Sequence, residues 1–364
     1  MKAAFRVKVA GQNISAKLNP ILIDISVNDR AGQSSDSASI RLDDTGGRLV
    51  MPQPRDPIEI ALGWENTGVG VVFVGVVDEV RASGSRSEGR VVSISAKGMD
   101  TRGKSKQGQR QHFDDTTIGD AMKKAGQSAG LSVSVDSSLA SIKRPYIALD
   151  DESFVAFGER MAREVGGTFK IVGDQAILAK RNSGQSVGGQ ALPSVTAAWG
   201  QNLHSYDITP ILGRPVEKQA LARWYDPKAA KWQKETADTG TDGGQTIKPA
   251  VYAEADQDRA KEQAGSDAAE SDRRSGEGSV TIEGNIAAQP EGVCIVSGCR
   301  PGVDGSYRIE GVSHSYSRGS GFVTTLELGQ PKGEAGKDSR GKKKTAGDSG
   351  GDDDFALPAD PELG

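Results

Sequence analysis

Cysteine, histidine, aromatic residues and long apolar runs are all scarce in this chain of 364 residues. It has two cysteines, three histidines and 5% aromatic residues. Two cysteines exclude a disulfide framework, and no apolar run approaches the ~20 residues of a membrane-spanning helix. The start, MKAAFRVKVAG, alternates like a strand and lacks the apolar block of a signal peptide. We therefore expect no membrane span and a chain made in the cytoplasm, which stays there or leaves by an unusual route.

Charge and composition exclude further classes. The net charge is -4 and the pI is near 5.6, whereas a general nucleic-acid binder is normally basic. Hydrophobic residues make up 35%, and 47 residues are glycine. Such a chain buries modest cores between many turns, so we expect part of its stability to come from partner chains.

Residues 1–105 have the alternation of β-strands throughout. Phe5, Val7 and Val9 alternate with basic residues, and Ile21, Ile23 and Ile25 alternate in the same way. About six such strands joined by polar turns predict a small barrel or sandwich as the first β domain.

Residues 106–185 change period and predict a small α/β module. Thr117 and Asp120 form a capping pair before one helix, which Gly130 ends. A second helix is predicted from Asp150, with acidic residues in its first turn, to Gly166-Gly167. Two short strands, Thr168–Val172 and Gln175–Lys180, follow around Gly173-Asp174.

Residues 186–330 return to strands and predict a second β-barrel domain. An exposed helix is expected near 252–274, packing through small side chains, with Ala253, Ala260, Ala264 and Ala268 on one side. The Gly/Thr/Asp-rich stretch from 234 to 245 is predicted to be a mobile loop. Residues 331–364 have almost no apolar content and predict a disordered tail, in which Phe355–Pro358 could be a short docking peptide.

Two stretches of the chain resemble each other. Phe73–Gly98 and Tyr307–Gly329 each carry a strand with an internal glycine, a Ser/Arg/Gly turn and an alternating strand. Long hairpins in general look like this. The alternative is that the chain carries two related barrels, which could give one subunit two equivalent positions in a ring.

The candidate chemical residues are few. Glu152 and Glu159 lie seven apart on the predicted second helix and could form the carboxylate pair of a glycoside hydrolase, but helices often carry such pairs on a solvated face. Cys294, Cys299 and His314 are too few for a structural zinc site. His112 and His204 have no Ser/Asp set at a supporting spacing, and Trp64, Trp199, Trp224 and Trp232 are too scattered to indicate a carbohydrate groove. We therefore predict no catalytic, cofactor-binding or metal-binding residue and no cofactor.

Three places in the sequence resemble the late control gene D family, the hub proteins of contractile phage tail baseplates. Thr116–Asp120 to Gly130-Leu131 resembles the first inner helix of that family, and Asp151–Gly167 resembles its characteristic helix. Asp304–Ile309, with His314 and Gly319–Leu328, resembles its closing hairpin. Together these places span about residues 5 to 330, and the family is related to the hub part of type VI secretion spike proteins.

The resemblance implies an α+β, mainly β fold with two tube-type antiparallel barrels, the α/β module between them and the tail. It implies a structural virion protein without enzymatic activity: a homotrimer in the tail baseplate that joins a six-fold tail tube ring to a three-fold spike and travels with the tube on contraction. The chain lacks a repetitive β-helix after residue 330, so the spike is expected to be a separate protein. The tape measure protein and baseplate wedge proteins are further candidate partners, and sequence-specific nucleic-acid binding is not expected. The alternatives are a tail-associated peptidoglycan hydrolase and a soluble carbohydrate-binding module.

Overall fold

A computed structural model describes residues 2–32, 35–87, 89–210, 217–240, 246–338 and 340. Within these residues the protein is mainly β, with several sheets and few helices, so the predicted α+β, mainly β class is confirmed. The helices are α1 (Ser15–Leu18), α2 (Ile118–Ser128), α3 (Ser137–Ala140), α4 (Phe154–Glu164) and α5 (Gln257–Arg273), with a short 3-10 helix at Lys104–Lys106.

The described residues of the first β region form seven strands, and those of the middle region form five more. In the first region these are β1 (Ala3–Val9), β2 (Gln12–Asn13), β3 (Leu22–Arg30), β4 (Ser37–Asp43), β5 (Pro57–Trp64), β6 (Gly68–Ser85) and β7 (Gly89–Lys97). The middle region has β8 (Gly108–Thr117), β9 (Ser132–Val135), β10 (Lys143–Ser153), β11 (Gly167–Val172) and β12 (Gln175–Lys180).

The described residues of the last region form nine strands. They are β13 (Ser194–Ala198), β14 (Leu203–Thr209), β15 (Glu217–Asp226), β16 (Lys231–Asp238), β17 (Thr246–Glu254), β18 (Glu277–Glu283), β19 (Val293–Ser297), β20 (Gly305–Ser317) and β21 (Gly321–Lys332).

Thirteen strands from the first and last regions form one hydrogen-bonded sheet. Its order is β14-β18-β21-β20-β3-β4-β7-β6-β5-β1-β2, with β19 beside β20 and β13 beside β19. The two β regions of one chain are therefore joined by strand pairing between β20 and β3. One hydrophobic core lies under each region, and the β20–β21 hairpin contributes to both: Tyr316 and Phe322 to the first core, Tyr307 and Leu326 to the second.

The middle region forms a separate core around α2 and α4. Ile118, Met122, Phe154 and Phe157 are buried there as the helical spacing predicted. The Thr117 hydroxyl accepts a hydrogen bond from the Asp120 amide at 3.1 Å, which confirms that cap.

The predicted start of the second helix is wrong. Residues 150–153 extend β10, which pairs with β8, and Ser153 caps α4 by accepting a bond from the Ala156 amide at 3.2 Å. The acidic residues therefore lie in a strand, where Arg110 pairs with Asp151. The β8–β10 pair was not predicted, because its exposed polar side chains give it little apolar alternation.

The three-stranded sheet of β15, β16 and β17, together with α5, forms an insertion between β14 and β18. Ala260, Ala264 and Ala268 are buried, the first two in one core with Ala222 of β15, which confirms packing through small side chains. The helix begins at Gln257, and residues 252–254 belong to β17.

Two boundaries predicted in the last region need correction. The loop predicted for 234–245 is wrong for residues 234–238, which form β16 against β15, and 241–245 lie outside the described residues. Pro331 and Lys332 belong to β21 and Ala335 is buried, so the tail was predicted to start too early. Residues 341–364, including Phe355–Pro358, lie outside the described residues.

Candidate assembly surface

The two β regions have the same strand order. Numbered within each region and leaving out the two-residue β2 and the insertion, both sheets run 2-3-6-5-4-1. These are β3-β4-β7-β6-β5-β1 in the first region and β14-β18-β21-β20-β19-β13 in the second. One difference concerns strand 1, which is antiparallel to its neighbour in the first region and parallel in the second. We call the two sets of strands the first and second repeat.

The registers of the two repeats agree residue by residue. Ala82 pairs with Val92 as His314 pairs with Thr324, a constant shift of 232 residues along the two hairpins. A β-bulge follows at the same place in each hairpin, between Val77 and Glu79 and between Ile309 and Gly311. The Leu22/Asp24 bulge of β3 likewise has its counterpart at Leu203/Ser205 of β14. Since bulges are specific features of a strand pair, this agreement favours two related barrels over a coincidence of long hairpins.

The two repeats are joined by strand pairing between β3 and β20. Gly311–Ser317 lies antiparallel to Asp24–Arg30, and the Ala31 amide donates to the Glu310 carbonyl at 2.8 Å. Side chains also cross this junction: the Ser313 hydroxyl donates to Asn28 Oδ1 at 2.8 Å, and Arg30 forms an ion pair with Glu327 at 3.0 Å. Strand 2 of one repeat thus adds to strand 5 of the other.

The counterparts of these two strands have no such neighbour. β5 pairs with β6 only as far as Val76, and beyond it Val80–Gly84 pairs with β7 alone. Ser205–Thr209 of β14 pairs with β18 alone. Within the described part of the chain no strand occupies the other side of either segment. We call Val80–Gly84 the β6 edge and Ser205–Thr209 the β14 edge. An open strand edge is a template for pairing with another chain.

The side of the sheet away from the two cores carries hydroxyl groups. Along eight neighbouring strands, from β14 to β6, residues on this side are opposite one another in continuous rows. They include Ser205, Thr281, Thr325, Ser313, Asn28 and Ser37 in one row and Ser315, Ser26, Ser39 and Ser95 in the next. We call this the polar face. Its charges are partly paired with each other, since Arg41 bonds Asp24 and Arg30 bonds Glu327.

A buried ion cluster connects the middle module to the first repeat. Lys170 Nζ of β11 lies 2.7 Å from both Asp29 Oδ1 and Asp36 Oδ1. Burial and the charge of Asp29 raise the pKa of Asp36 to about 7, although Lys170 opposes the shift. Burial alone would lower the pKa of Lys170, but the two carboxylates raise it. The cluster contains two acids and one base, so protonation of Asp36 leaves a neutral pair.

Asp36 therefore makes stability depend on pH. Its folded pKa lies above the usual value of 3.8, so the folded protein binds this proton more tightly than the unfolded chain does. The stabilisation is present below pH 4 and is lost as the pH rises to 7. In thermal unfolding followed by circular dichroism, we expect Tm to fall between pH 5 and pH 8 by more in the wild type than in Asp36→Asn. Equal pH dependence of the two proteins would contradict this assignment.

A second buried network fastens the insertion to the second repeat. Glu291 accepts bonds from Arg273 at 2.9 Å, from Arg308 at 3.0 Å and from the Asn182 amide at 3.1 Å. Arg308 also donates to Gln330 Oε1 at 2.8 Å. Glu291 thus ties together the end of α5, β20 and the segment that leaves the middle module.

The predicted carboxylate pair is not present as expected. Glu152 lies at the end of β10 and Glu159 on α4, so the two are not on one helix. Glu152 forms an ion pair with Arg160. The cleft beside them, of about 430 Å³, is also lined by Arg144, Glu164 and Arg259, a mixed set of charges.

The two cysteines pack in the second core, and His112, His204 and His314 lie on β8, β14 and β20. Cys294 is buried in the second core, and burial raises its thiol pKa to about 12. His314 is buried on β20, where its Nδ1 lies 3.0 Å from Thr324 Oγ1, and burial lowers its pKa to about 4. No group of three metal-ligating side chains occurs within the described ranges.

Trp64, Trp224 and Trp232 lie on β5, β15 and β16, and Trp199 directly follows β13. Trp64 donates its indole N–H to the Gly284 carbonyl at 3.1 Å, across the two repeats. Trp199 stacks edge-on against Tyr206, and Trp232 does so against Tyr225. Every helix in the described part of the chain is too short or too polar to cross a bilayer.

No protein-family model matches the chain. Among curated proteins it is 27% identical over 233 residues to the probable baseplate hub protein of Escherichia phage 186 and 28% identical over 194 residues to that of Escherichia phage P2. These matches cover 64% and 53% of this chain and 58% and 49% of the relatives, so the chain spans about half the length of the curated relatives it matches.

Solved structures share the fold. A tail protein from Neisseria meningitidis MC58 aligns with a TM-score of 0.64 at 17% identity, over 91% of this chain and 97% of that one. The 43 kDa tail protein of prophage MuSo2 from Shewanella oneidensis aligns with a TM-score of 0.66 at 14% identity, over 90% of this chain and 98% of that one. A type VI secretion component of E. coli aligns with a TM-score of 0.52 at 12% identity, over 92% of this chain and 78% of that one. The resemblance predicted from the sequence is confirmed at this level: the chain has curated homologues named as baseplate hub proteins and a fold shared with tail proteins.

Proposed function

We propose that this protein is a structural subunit of the baseplate hub, in which three copies form a ring that joins the tail tube to a central spike. Its homologues are named baseplate hub proteins, and its location is the tail baseplate of a phage virion. The observation that carries the proposal is the internal repeat, because two equivalent barrels per chain give three chains six similar positions.

The two ends of the strands differ in a way that suits a change of symmetry. The hairpin turns after β6 and β20 lie at one end of the sheet, once in each repeat. At the other end, Lys170 attaches the middle module to the first repeat, and the insertion leaves the second repeat after Thr209. In a trimer the hairpin end would present six similar turns to a six-fold tube. The other end would present three modules and three insertions to a three-fold spike.

On the basis of the internal repeat, we also propose a division of the chain into three domains. Residues 1–105 form the first barrel, 106–185 the middle module and 186–330 the second barrel with its insertion. The spike would be a separate protein, and the hub would move with the tube on contraction. The ion-paired Glu152 gives no support to a peptidoglycan hydrolase, and the dispersed tryptophans give none to a carbohydrate-binding module.

Light scattering of the purified protein tests the proposal. A trimer has three times 38.2 kDa, about 115 kDa. We expect this mass at micromolar concentration, with an interface larger than the ~1,200–2,000 Å² of a standard one. A monomeric mass throughout this range would contradict the proposed ring.

A further inference from the structure

We propose that the β6 edge of one copy adds as a strand to the β14 edge of the next, in the register that β20 uses on β3 within the chain. This inference rests on the proposed trimer and names the surface through which it closes. The occupant of each edge is a second copy of this chain. The reason is that the chain already contains one example of the contact, between strand 5 of one repeat and strand 2 of the other.

The register of the contact follows from the two repeats. Ser315 lies opposite Ser26, and the shifts of 232 and 181 residues convert that pair into Ser83 opposite Asp207. His314 opposite Val27 likewise becomes Ala82 opposite Ile208, and Ser313 opposite Asn28 becomes Arg81 opposite Thr209. The pairing is head to tail, so each copy uses a different edge on each side and a ring can close.

The hydrogen-bonding pattern between β20 and β3 predicts which residues of the two edges direct their backbone N–H and C=O groups toward the neighbouring copy. In antiparallel strands, hydrogen-bonded pairs alternate with non-hydrogen-bonded pairs. The bond from Ala31 to Glu310 fixes the alternation, so Val27 and His314 exchange backbone bonds, whereas Ser26 and Ser315 do not. By equivalence, Ala82 and Ile208 present their backbone groups to the neighbouring copy. Ser83 and Asp207 form a non-hydrogen-bonded pair with the closer Cα spacing.

The exposed character of both edges fits a contact between copies. Arg81, Ala82, Ser83 and Gly84 are exposed, and so are Ser205, Asp207 and Thr209. Arg81 is placed near the acidic Asp207 of the neighbour in this register, so the charges are complementary.

The contact would make the eight strands from β14 to β6 continuous around the ring. Three copies give 24 strands, and at a spacing of ~4.8 Å their circumference is ~115 Å and their diameter ~37 Å, before strand tilt enlarges it. The cores and strands 4 and 1 of each repeat lie on one side of this wall. These cores and strands are too large to fit inside the ring, so they lie outside it. The polar face therefore lines the channel. Hydroxyl groups and the ion pairs Arg41–Asp24 and Arg30–Glu327 make that lining hydrophilic.

Cysteine cross-linking tests the register. The variant carries Ser83→Cys and Asp207→Cys in a Cys299→Ser background, with Cys294 kept because it is buried. Mild oxidation is expected to convert most of the chain to covalent dimers and trimers on a non-reducing gel. The matched positive control, Ser26→Cys with Ser315→Cys, joins the equivalent pair within one chain and leaves monomers. The negative control, Ser83→Cys with Ser279→Cys, moves one cysteine a strand further away.

The outcomes separate this inference from the proposed function. Covalent oligomers from Ser83/Asp207 and none from Ser83/Ser279 support the register. Trimers by light scattering that fail to cross-link at Ser83/Asp207, while Ser26/Ser315 oxidises, overturn the strand addition and leave the proposed hub intact. A wild-type protein that is only monomeric overturns the hub itself.

Discussion

Replacing Ala82 by proline is expected to convert the trimer into a monomer. By equivalence with His314, the Ala82 amide faces away from β7 and is the group that would donate to Ile208 of the neighbouring copy. Proline removes that donor and places its ring against the partner strand, so it disfavours strand pairing at each contact. Three contacts close the ring, and each 1.4 kcal/mol is a factor of ten in the equilibrium constant. Light scattering at micromolar concentration should therefore report monomer.

The control for this change is Ala82→Val. Valine keeps the amide and suits an exposed strand, so the mass should remain that of a trimer. Circular dichroism of the proline variant should match the wild type, because the donor lost is not used within the chain. Trimers of unchanged affinity in Ala82→Pro would show that the β6 edge is not an interface.

Replacing Glu291 by alanine is expected to destabilise the folded subunit by ~3–5 kcal/mol. The carboxylate pairs with the largely buried Arg273 and Arg308, whose side chains are only 11% and 8% exposed, and Glu310 is a second acidic partner of Arg273. Its removal leaves two buried guanidinium groups short of an acceptor, the circumstance in which breaking an ion pair costs most. The loss should appear as a lower midpoint of chemical denaturation and as earlier proteolysis of the insertion.

A surface ion pair provides the comparison for Glu291. Glu327 pairs with Arg30 at 3.0 Å, but these side chains are 49% and 54% exposed. Glu327→Ala should cost less than ~1 kcal/mol, because solvent already screens the pair. Similar losses in the two variants would mean that the Glu291 network does not hold the insertion in place.

Local pattern predicted the helices well where apolar spacing and caps coincided. α2 has its cap at Thr117 and its stop at Gly130, and both were visible in the sequence. α4 was displaced because Asp150–Glu152 resembles an acidic first turn, while pairing with β8 holds those residues in a strand. Long-range pairing decides such a segment, and a single sequence does not display it.

The alternation of apolar and polar residues in the sequence could not predict the β-bulges or the order of the strands. Ile21, Ile23 and Ile25 suggested one face, but the bulge at Ile23 turns Leu22 and Ile25 inward instead. The similarity between the two hairpins was visible, whereas the common order 2-3-6-5-4-1 depends on which strands pair. The β3–β20 junction and the two open edges depend on pairing between the repeats as well as on that order, so the assembly surface could not be located from the sequence.

The central claim is that two equivalent repeats in each of three chains form one ring. Electron microscopy of the purified protein viewed down the ring axis tests it most directly. We predict a continuous inner wall with six similar barrels, three-fold decoration at one end, and Ser83 beside Asp207 of the neighbouring copy. Rings in which the β6 and β14 edges remain open, or particles without a three-fold axis, would contradict it.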